Sequence, residues 1–188
     1  MAKPTVAEHR TNIRGLLSEA AAATFTDAEI DANLANALFT LSGYATHMAK
    51  VNKTGLTTSQ TVIDLANDCP AEAVVEVLPA ALTPVTEFRA RGTELVLKNQ
   101  IGATSADFYY RAAYTHDGTN VDWYPTNFRG AVCLLAAALC IIGRQKELAE
   151  LDSLKAQAIA SSANRMFDTA IAIMSSKPPS ASTYGRTY

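Results

Sequence analysis

Apolar residues recur at helical spacing through the first third of the chain, with polar residues between them. The opening segment has such a stripe, and a second stripe follows a capping box in which Thr26 and Glu29 can satisfy each other's backbone amides. The spacing predicts one helix near the start and another from Thr26 to about Ala49. The two stripes are Val6, Ile13, Leu16, Leu17 and Ala20, then Ile30, Leu34, Leu38, Leu41 and Ala45.

The middle third favours strands. A short helix is predicted over 57–65, a strand over 73–78, and two strands over 85–89 and 94–98 across the turn Arg91-Gly92. A further hairpin is predicted between 108–114 and 121–124, because Asp117-Gly118 suits the positive φ angles of a tight turn.

The last third is helical again. Ala131 to Ile142 is apolar on every face, which is typical of a buried helix, and a long final helix follows from Leu148 to Ile173. The patterns together predict a mainly α fold, a bundle of about four long helices with a small antiparallel β-hairpin or sheet insertion. We expect one helical domain over 1–174, with the insertion near 73–124 and a flexible tail over 175–188.

Composition narrows the class of protein. The 188 residues carry a net charge of −2, with 48% apolar and 18% charged residues, which excludes wholesale disorder and leaves no basic surplus for a phosphate backbone. The longest apolar run has twelve residues, short of the roughly 20 that a membrane span needs. The charged opening is unlike a secretory signal. Three cysteines without a CxxC pair fit a reducing compartment.

Candidate chemistry is sparse. The three histidines stand far apart with no metal-ligand spacing, and no nucleophile elbow or phosphate-binding loop occurs. Asp27, Glu29 and Asp31 suit the start of a helix, where acids are favoured without catalysis. Cys133 and Cys140 lie among apolar neighbours and are predicted to be small buried side chains. We therefore expect no enzyme activity, no cofactor and no metal.

Two groups of residues suggest binding. One is the aromatic set of the predicted 108–124 hairpin, which is either ordinary core or an interface with another subunit or a tail component. The other is the C-terminal segment, where nine of fourteen residues are Ser, Thr, Pro or Gly and aromatic and basic anchors stand at the end; an ordinary disordered terminus is the alternative. The residues are Tyr109, Tyr110, Tyr114, Trp123 and Tyr124 in the first group, and Lys177, Pro178, Pro179, Tyr184, Arg186 and Tyr188 in the second.

The order of these parts resembles the head-to-tail adaptor, or connector, proteins of tailed bacteriophages. The first matching stretch is VAEHRTNIRGLLSEAAAATFTDAEIDANLANAL, with an arginine–leucine–leucine helix, an aromatic residue and a Thr-Asp-Ala-Glu-Ile helix start. The second runs from Val121-Asp122-Trp123-Tyr124-Pro125 through Phe128 and Arg129 into the alanine-rich helix. The segment 56–98 matches nothing in that family and is interpreted as a variable insertion.

The resemblance implies a homo-oligomeric ring, commonly of twelve copies, between the portal of the capsid and the tail. Double-stranded DNA would pass through its channel without sequence-specific binding, and no membrane is involved. The C-terminal residues named above would dock on the portal protein, and the aromatic hairpin would face a neighbouring subunit or a tail or nozzle protein. The implied location is the head–tail interface of the virion, and the host cytoplasm during assembly.

Two other functions remain open from the sequence. The first is a small helical ligand-binding protein or enzyme with an aromatic pocket lined by Tyr110, Tyr114 and Trp123. The second is another virion or regulatory protein that binds an unrelated partner through its tail.

Overall fold

A computed structural model of the chain describes residues 4–17, 25–85, 87–122, 124–144 and 153–176. It divides into two compact units: a helical unit made of Met1–Thr46 and Ala113–Tyr188, and a sheet unit made of His47–Ala112. The strands therefore begin and end earlier than the predicted insertion near 73–124.

Four α-helices form the described part of the helical unit: α1 Val6–Leu16, α2 Asp27–Leu41, α3 Arg129–Gly143 and α4 Ser153–Ser176. Capping boxes start the first two helices. The hydroxyls of Thr5 and Thr26 accept hydrogen bonds from the amides of Glu8 and Glu29, and the carboxylates of these glutamates accept from the threonine amides. A 3₁₀ turn, Thr126–Phe128, leads into α3.

The third helix, α3, is the centre of this unit. It packs against α1, α2 and α4, and its alanines are completely buried, which confirms the prediction of a buried helix. Thr126–Gly143 is the only helical stretch in the described residues long and apolar enough to cross a membrane, and 56% of it is buried inside the protein. A core helix satisfies the same criteria of length and composition.

Six strands form the described part of the sheet unit: β1 His47–Thr54, β2 Val62–Asp64, β3 Val74–Pro79, β4 Phe88–Arg91, β5 Glu94–Leu97 and β6 Ser105–Ala112. They make two antiparallel three-stranded sheets, ordered β1-β6-β3 and β2-β5-β4. A second apolar core lies in this unit, with Phe108 and Val77 from one sheet and Ile63 and Leu95 from the other.

The prediction of a mainly helical bundle is wrong. The structure is 44% helical and 25% strand, an α+β mix. The prediction placed residues up to about Ala49 in the second helix, but α2 ends at Leu41 and His47–Thr54 pairs along its full length with β6. The segment 57–65 contains strand β2 instead of a helix. Pairing with distant strands overrides local helical spacing in both places.

The predicted 108–124 hairpin is also wrong. Residues 105–112 form the central strand of the first sheet, between β1 and β3, and only an isolated bridge joins His116 to Val121. The chain bends at Asp117-Gly118, but of these two residues only Gly118 has a positive φ, +88°, so the predicted two-residue hairpin turn does not form. The strands over 73–78 and 94–98 are confirmed as β3 and β5. The strand predicted over 85–89 lies later, at Phe88–Arg91, so Arg91 belongs to β4 and the turn begins at Gly92, which has φ +61°.

Candidate interaction surfaces

The proposed C-terminal docking residues lie outside the described residues. Helix α4 is described to Ser176, and Met174 is its last buried side chain. The set Lys177, Pro178, Pro179, Tyr184, Arg186 and Tyr188 follows directly in the sequence, and its docking role stays a prediction. Trp123 also lies outside the described residues.

Tyr114 and Tyr124 belong to the core of the helical unit, being only 1% and 3% exposed. Their rings meet edge to face, with centroids 6.0 Å apart. The Tyr114 hydroxyl donates to the carbonyl of Thr46 at 3.2 Å, and its amide donates to Ser42 Oγ at 2.8 Å. Burial of both rings removes them from the predicted interface, and Tyr114 has no open side with which to line a pocket.

The tyrosines of the sheet unit face opposite sides of the first sheet. Tyr110 packs against the core on the same side as Phe108, so Tyr109 lies on the other side, as alternation along a strand requires. Tyr109 is half-buried and stands in register between Lys50 and Glu76. It is thus the tyrosine of the predicted interface set best placed to contact a partner.

The same side of the first sheet carries a polar cluster around Asp107. The carboxylate of Asp107 accepts from the Asn52 amide at 2.8 Å and from Lys50 Nζ at 3.2 Å. These two hydrogen bonds, that from Asn52 above all, hold the pKa of Asp107 below its usual range. Tyr109 therefore has charged and polar neighbours on its side of the sheet, with Lys50 opposite it and Asp107 two residues away on the same strand.

Four arginines of the helical unit are paired with acids. Arg10 forms a two-point contact with Asp31 at 2.7 and 2.5 Å, and Arg14 reaches Asp27 at 2.7 Å. Arg144 bonds Glu29 at 2.6 Å and lies over the ring of Phe25 at 5.1 Å from its centroid; Arg129 bonds Glu8 at 3.2 Å.

Glu29 is the most strongly shifted acid of this group. The Thr26 amide, then the Arg144 guanidinium and the Thr26 hydroxyl, hold the pKa of Glu29 at about 2. Asp27 and Glu29 lie in the first turn of α2 as predicted, and Glu29 caps it. Asp31 lies beyond the first turn and is an ion-pair partner of Arg10.

Exposed apolar side chains mark surfaces that the sequence reasoning missed. On the helical unit, Phe39 is 70% exposed, and Tyr44 shortly after α2 is also exposed. On the sheet unit the exposed apolar side chains are Val62, Val75 and Leu82. Phe39 does not share the spacing of Ile30, Leu34 and Leu38 on α2. This difference in spacing could have indicated from the sequence that Phe39 is exposed.

The thiols are unsuited to nucleophilic chemistry. Cys133 and Cys140 are buried in α3, as predicted, and burial raises the pKa of Cys133 to about 11. Burial also raises the pKa of Cys69, with the nearby Asp68 adding to the shift. Among the residues that the structure describes, no three His, Cys, Asp or Glu side chains come together as a metal site.

No protein-family model matches the chain, and no curated protein matches it significantly.

Proposed function

We propose that this chain is a head-to-tail adaptor of a tailed bacteriophage, a structural protein without catalytic activity. Copies of it would form a ring, commonly of twelve, between the portal and a tail or nozzle protein, and the ring would extend the DNA channel. Its place would be the head–tail interface of the virion, after assembly in the host cytoplasm.

One observation carries this proposal. The two sequence segments that resemble phage adaptors, 6–38 and 121–142, are far apart in the chain, yet both belong to the helical unit. The segment without resemblance, 56–98, lies wholly within the sheet unit. The segments that resemble phage adaptors and the segment that does not therefore lie in different structural units.

The charge arrangement suits a channel component. Arg10, Arg14, Arg129 and Arg144 each bond a carboxylate within the helical unit, so their charges are compensated locally. DNA binding draws on Lys and Arg side chains that neutralise phosphates. Because the charges of these four arginines are compensated, these side chains are less available to bind phosphates tightly, as passage of DNA without tight binding would require.

The C-terminal segment is the proposed portal anchor. It follows α4, whose buried side chains tie the helix to the helical core as far as Met174. Tyrosine and arginine are the residues that most often supply binding energy at interfaces. A peptide with such anchors just beyond a fixed helix is suited to dock on a larger assembly.

The proposal is tested by mixing the purified protein with the portal protein of the same genome and measuring the mass of the complex. We expect a ring of adaptor copies on the portal, and loss of that complex when Lys177–Tyr188 is deleted. The deletion should leave the melting temperature unchanged, because the last buried side chain, Met174, is retained.

A matched pair of variants separates anchoring from chain length. The triple substitution Tyr184→Ala, Arg186→Ala and Tyr188→Ala should weaken portal binding as the deletion does. The triple Ser180→Ala, Ser182→Ala and Thr183→Ala, in the same segment, should leave binding intact. A protein that stays monomeric with the portal, its tail still cleaved by protease, would contradict the proposal.

A further inference from the structure

His9 is the one polar or charged residue that is completely buried among the described residues. Its Nδ1 lies 2.8 Å from the carbonyl oxygen of Thr5, and its Nε2 lies 2.6 Å from the hydroxyl of Tyr124. A carbonyl oxygen only accepts, so the ring hydrogen is on Nδ1. The Nε2 lone pair then accepts the Tyr124 hydroxyl, and both contacts are those of a neutral imidazole.

The surroundings of His9 do not compensate a positive charge. The charged and titratable groups facing it are Glu8 on α1, Arg129 on α3 and His116. The carboxylate of Glu8 already bonds Arg129 and the Thr5 amide. Burial, the largest cause, and the nearby cation Arg129 lower the pKa of His9, although the Thr5 carbonyl opposes them.

Tyr124, which bonds the ring, and Cys133, which lies near Tyr124, stay uncharged at neutral and acid pH. Burial raises the pKa of Tyr124 far above its usual value, and burial also raises that of Cys133. Neither side chain can therefore become an anion that would pair with a protonated His9. A proton on Nε2 would also turn the Tyr124 hydroxyl oxygen into an acceptor and displace its hydrogen.

The His9–Tyr124 contact joins α1 to residues 113–125, here called the connector. Two backbone hydrogen bonds hold the same elements together: the Val6 amide donates to Thr119 at 2.9 Å, and the Val121 amide donates to Pro4 at 2.9 Å. Protonation of the His9 imidazole therefore affects the place where hydrogen bonds join the start of α1 to the connector.

We propose that His9 is an acid-sensitive switch, in which one proton taken up at Nε2 releases Tyr124 and loosens the connector from the start of α1. Helices α3 and α4 pack against each other and remain folded. This switch does not depend on the proposed phage function.

The test is amide hydrogen exchange of the full chain at pH 7.5 and 5.5, corrected for intrinsic exchange. We expect the protection factors of the Val6 and Val121 amides to fall about tenfold. Each pH unit below the ordinary imidazole pKa near 6.5 raises the equilibrium constant for opening by up to tenfold. Amides within α3 should stay better protected than those of Val6 and Val121 at both pH values, because α3 does not open with the connector. Equal protection of Val6 and Val121 at both pH values would overturn the proposal.

Two variants assign the effect. His9→Gln keeps a neutral acceptor for the Tyr124 hydroxyl and should abolish the pH dependence, while His116→Gln should retain it. A pH dependence that survives in His9→Gln would also overturn the proposal. If His9→Gln does not fold, an NMR titration of His9 in the native chain decides: Val6 and Val121 shifts must move with the ring, and their constancy refutes the switch.

Discussion

Residues 47–112 should be removable without unfolding the helical unit. His47 and Ala112 face each other at the end of the β1–β6 ladder, and opposed residues of an antiparallel pair lie about 4.5–5.5 Å apart between Cα atoms. A four-residue glycine–serine link from Thr46 to Ala113 spans that separation easily.

The expected effect on stability is small. The 22 buried core residues found in the described part of the helical unit all lie outside the deleted segment, so the deletion opens no cavity among them. The free energy of unfolding should change by no more than about 1 kcal/mol, or roughly 4 °C in Tm for chains of this length. Removing even one buried leucine side chain costs more, about 2–5 kcal/mol.

The assay is thermal and urea unfolding followed by circular dichroism at 222 nm. Leu135→Ala serves as the control in both backgrounds, because Leu135 is 1% exposed in α3. The substitution should lower the free energy of unfolding equally in the full chain and in the shortened chain. A shortened protein that lacks a cooperative transition, or melts more than about 10 °C below the full chain, would refute the independence of the two cores.

Three further predictions concern single residues. Leu135→Asp should unfold the helical unit because a buried unpaired charge costs several kcal/mol, whereas Leu139→Asp, at a half-buried site, should only lower Cm in urea. Gly92→Ala, at φ +61°, should destabilise the sheet unit by about 1–2 kcal/mol in thermal unfolding, whereas Gly15→Ala in α1 should stabilise the helical unit. Glu29, with its pKa lowered from 4.5 to about 2, stabilises above pH 4.5 and loses that contribution as pH falls towards 2; Glu29→Gln should flatten an acid titration of stability across that interval.

Local signals predicted the start of α2 and its buried positions, although not its end. The box formed by Thr26 and Glu29 lies within four residues, and both of its hydrogen bonds form. The buried side chains Ile30, Leu34 and Leu38 of α2 follow the spacing read from the sequence. These features depend on neighbours along the chain, which a sequence displays directly.

Strand β1 could not be predicted in the same way. Ala45 and Ala49 fit a helical stripe, but Ala49 pairs with Tyr110 and Val51 with Phe108, more than 50 residues later. The partner of a strand is a tertiary fact, and alanine and lysine carry no strong strand preference of their own.

His9 was missed for a related reason. In sequence it falls at helical spacing between Val6 and Ile13, and all three are buried on one face of α1, but a histidine was not counted among the apolar positions. The hydroxyl of Tyr124, which makes the burial possible by bonding Nε2, is 115 residues away, so the sequence could indicate the buried position but not its partner.

The first and last residues of the sheet unit are paired with each other, which explains how the two segments that resemble phage adaptors can be separated in sequence and still belong to one unit. A segment whose first and last residues face each other across a ladder, as His47 and Ala112 do, enters and leaves the helical unit at adjacent points. Such a segment can vary in length and sequence while α2 and the connector keep their contacts, among them Ser42 with Tyr114. An insertion at this point is therefore tolerated physically, and the resemblance to phage adaptors should be judged on the helical unit alone.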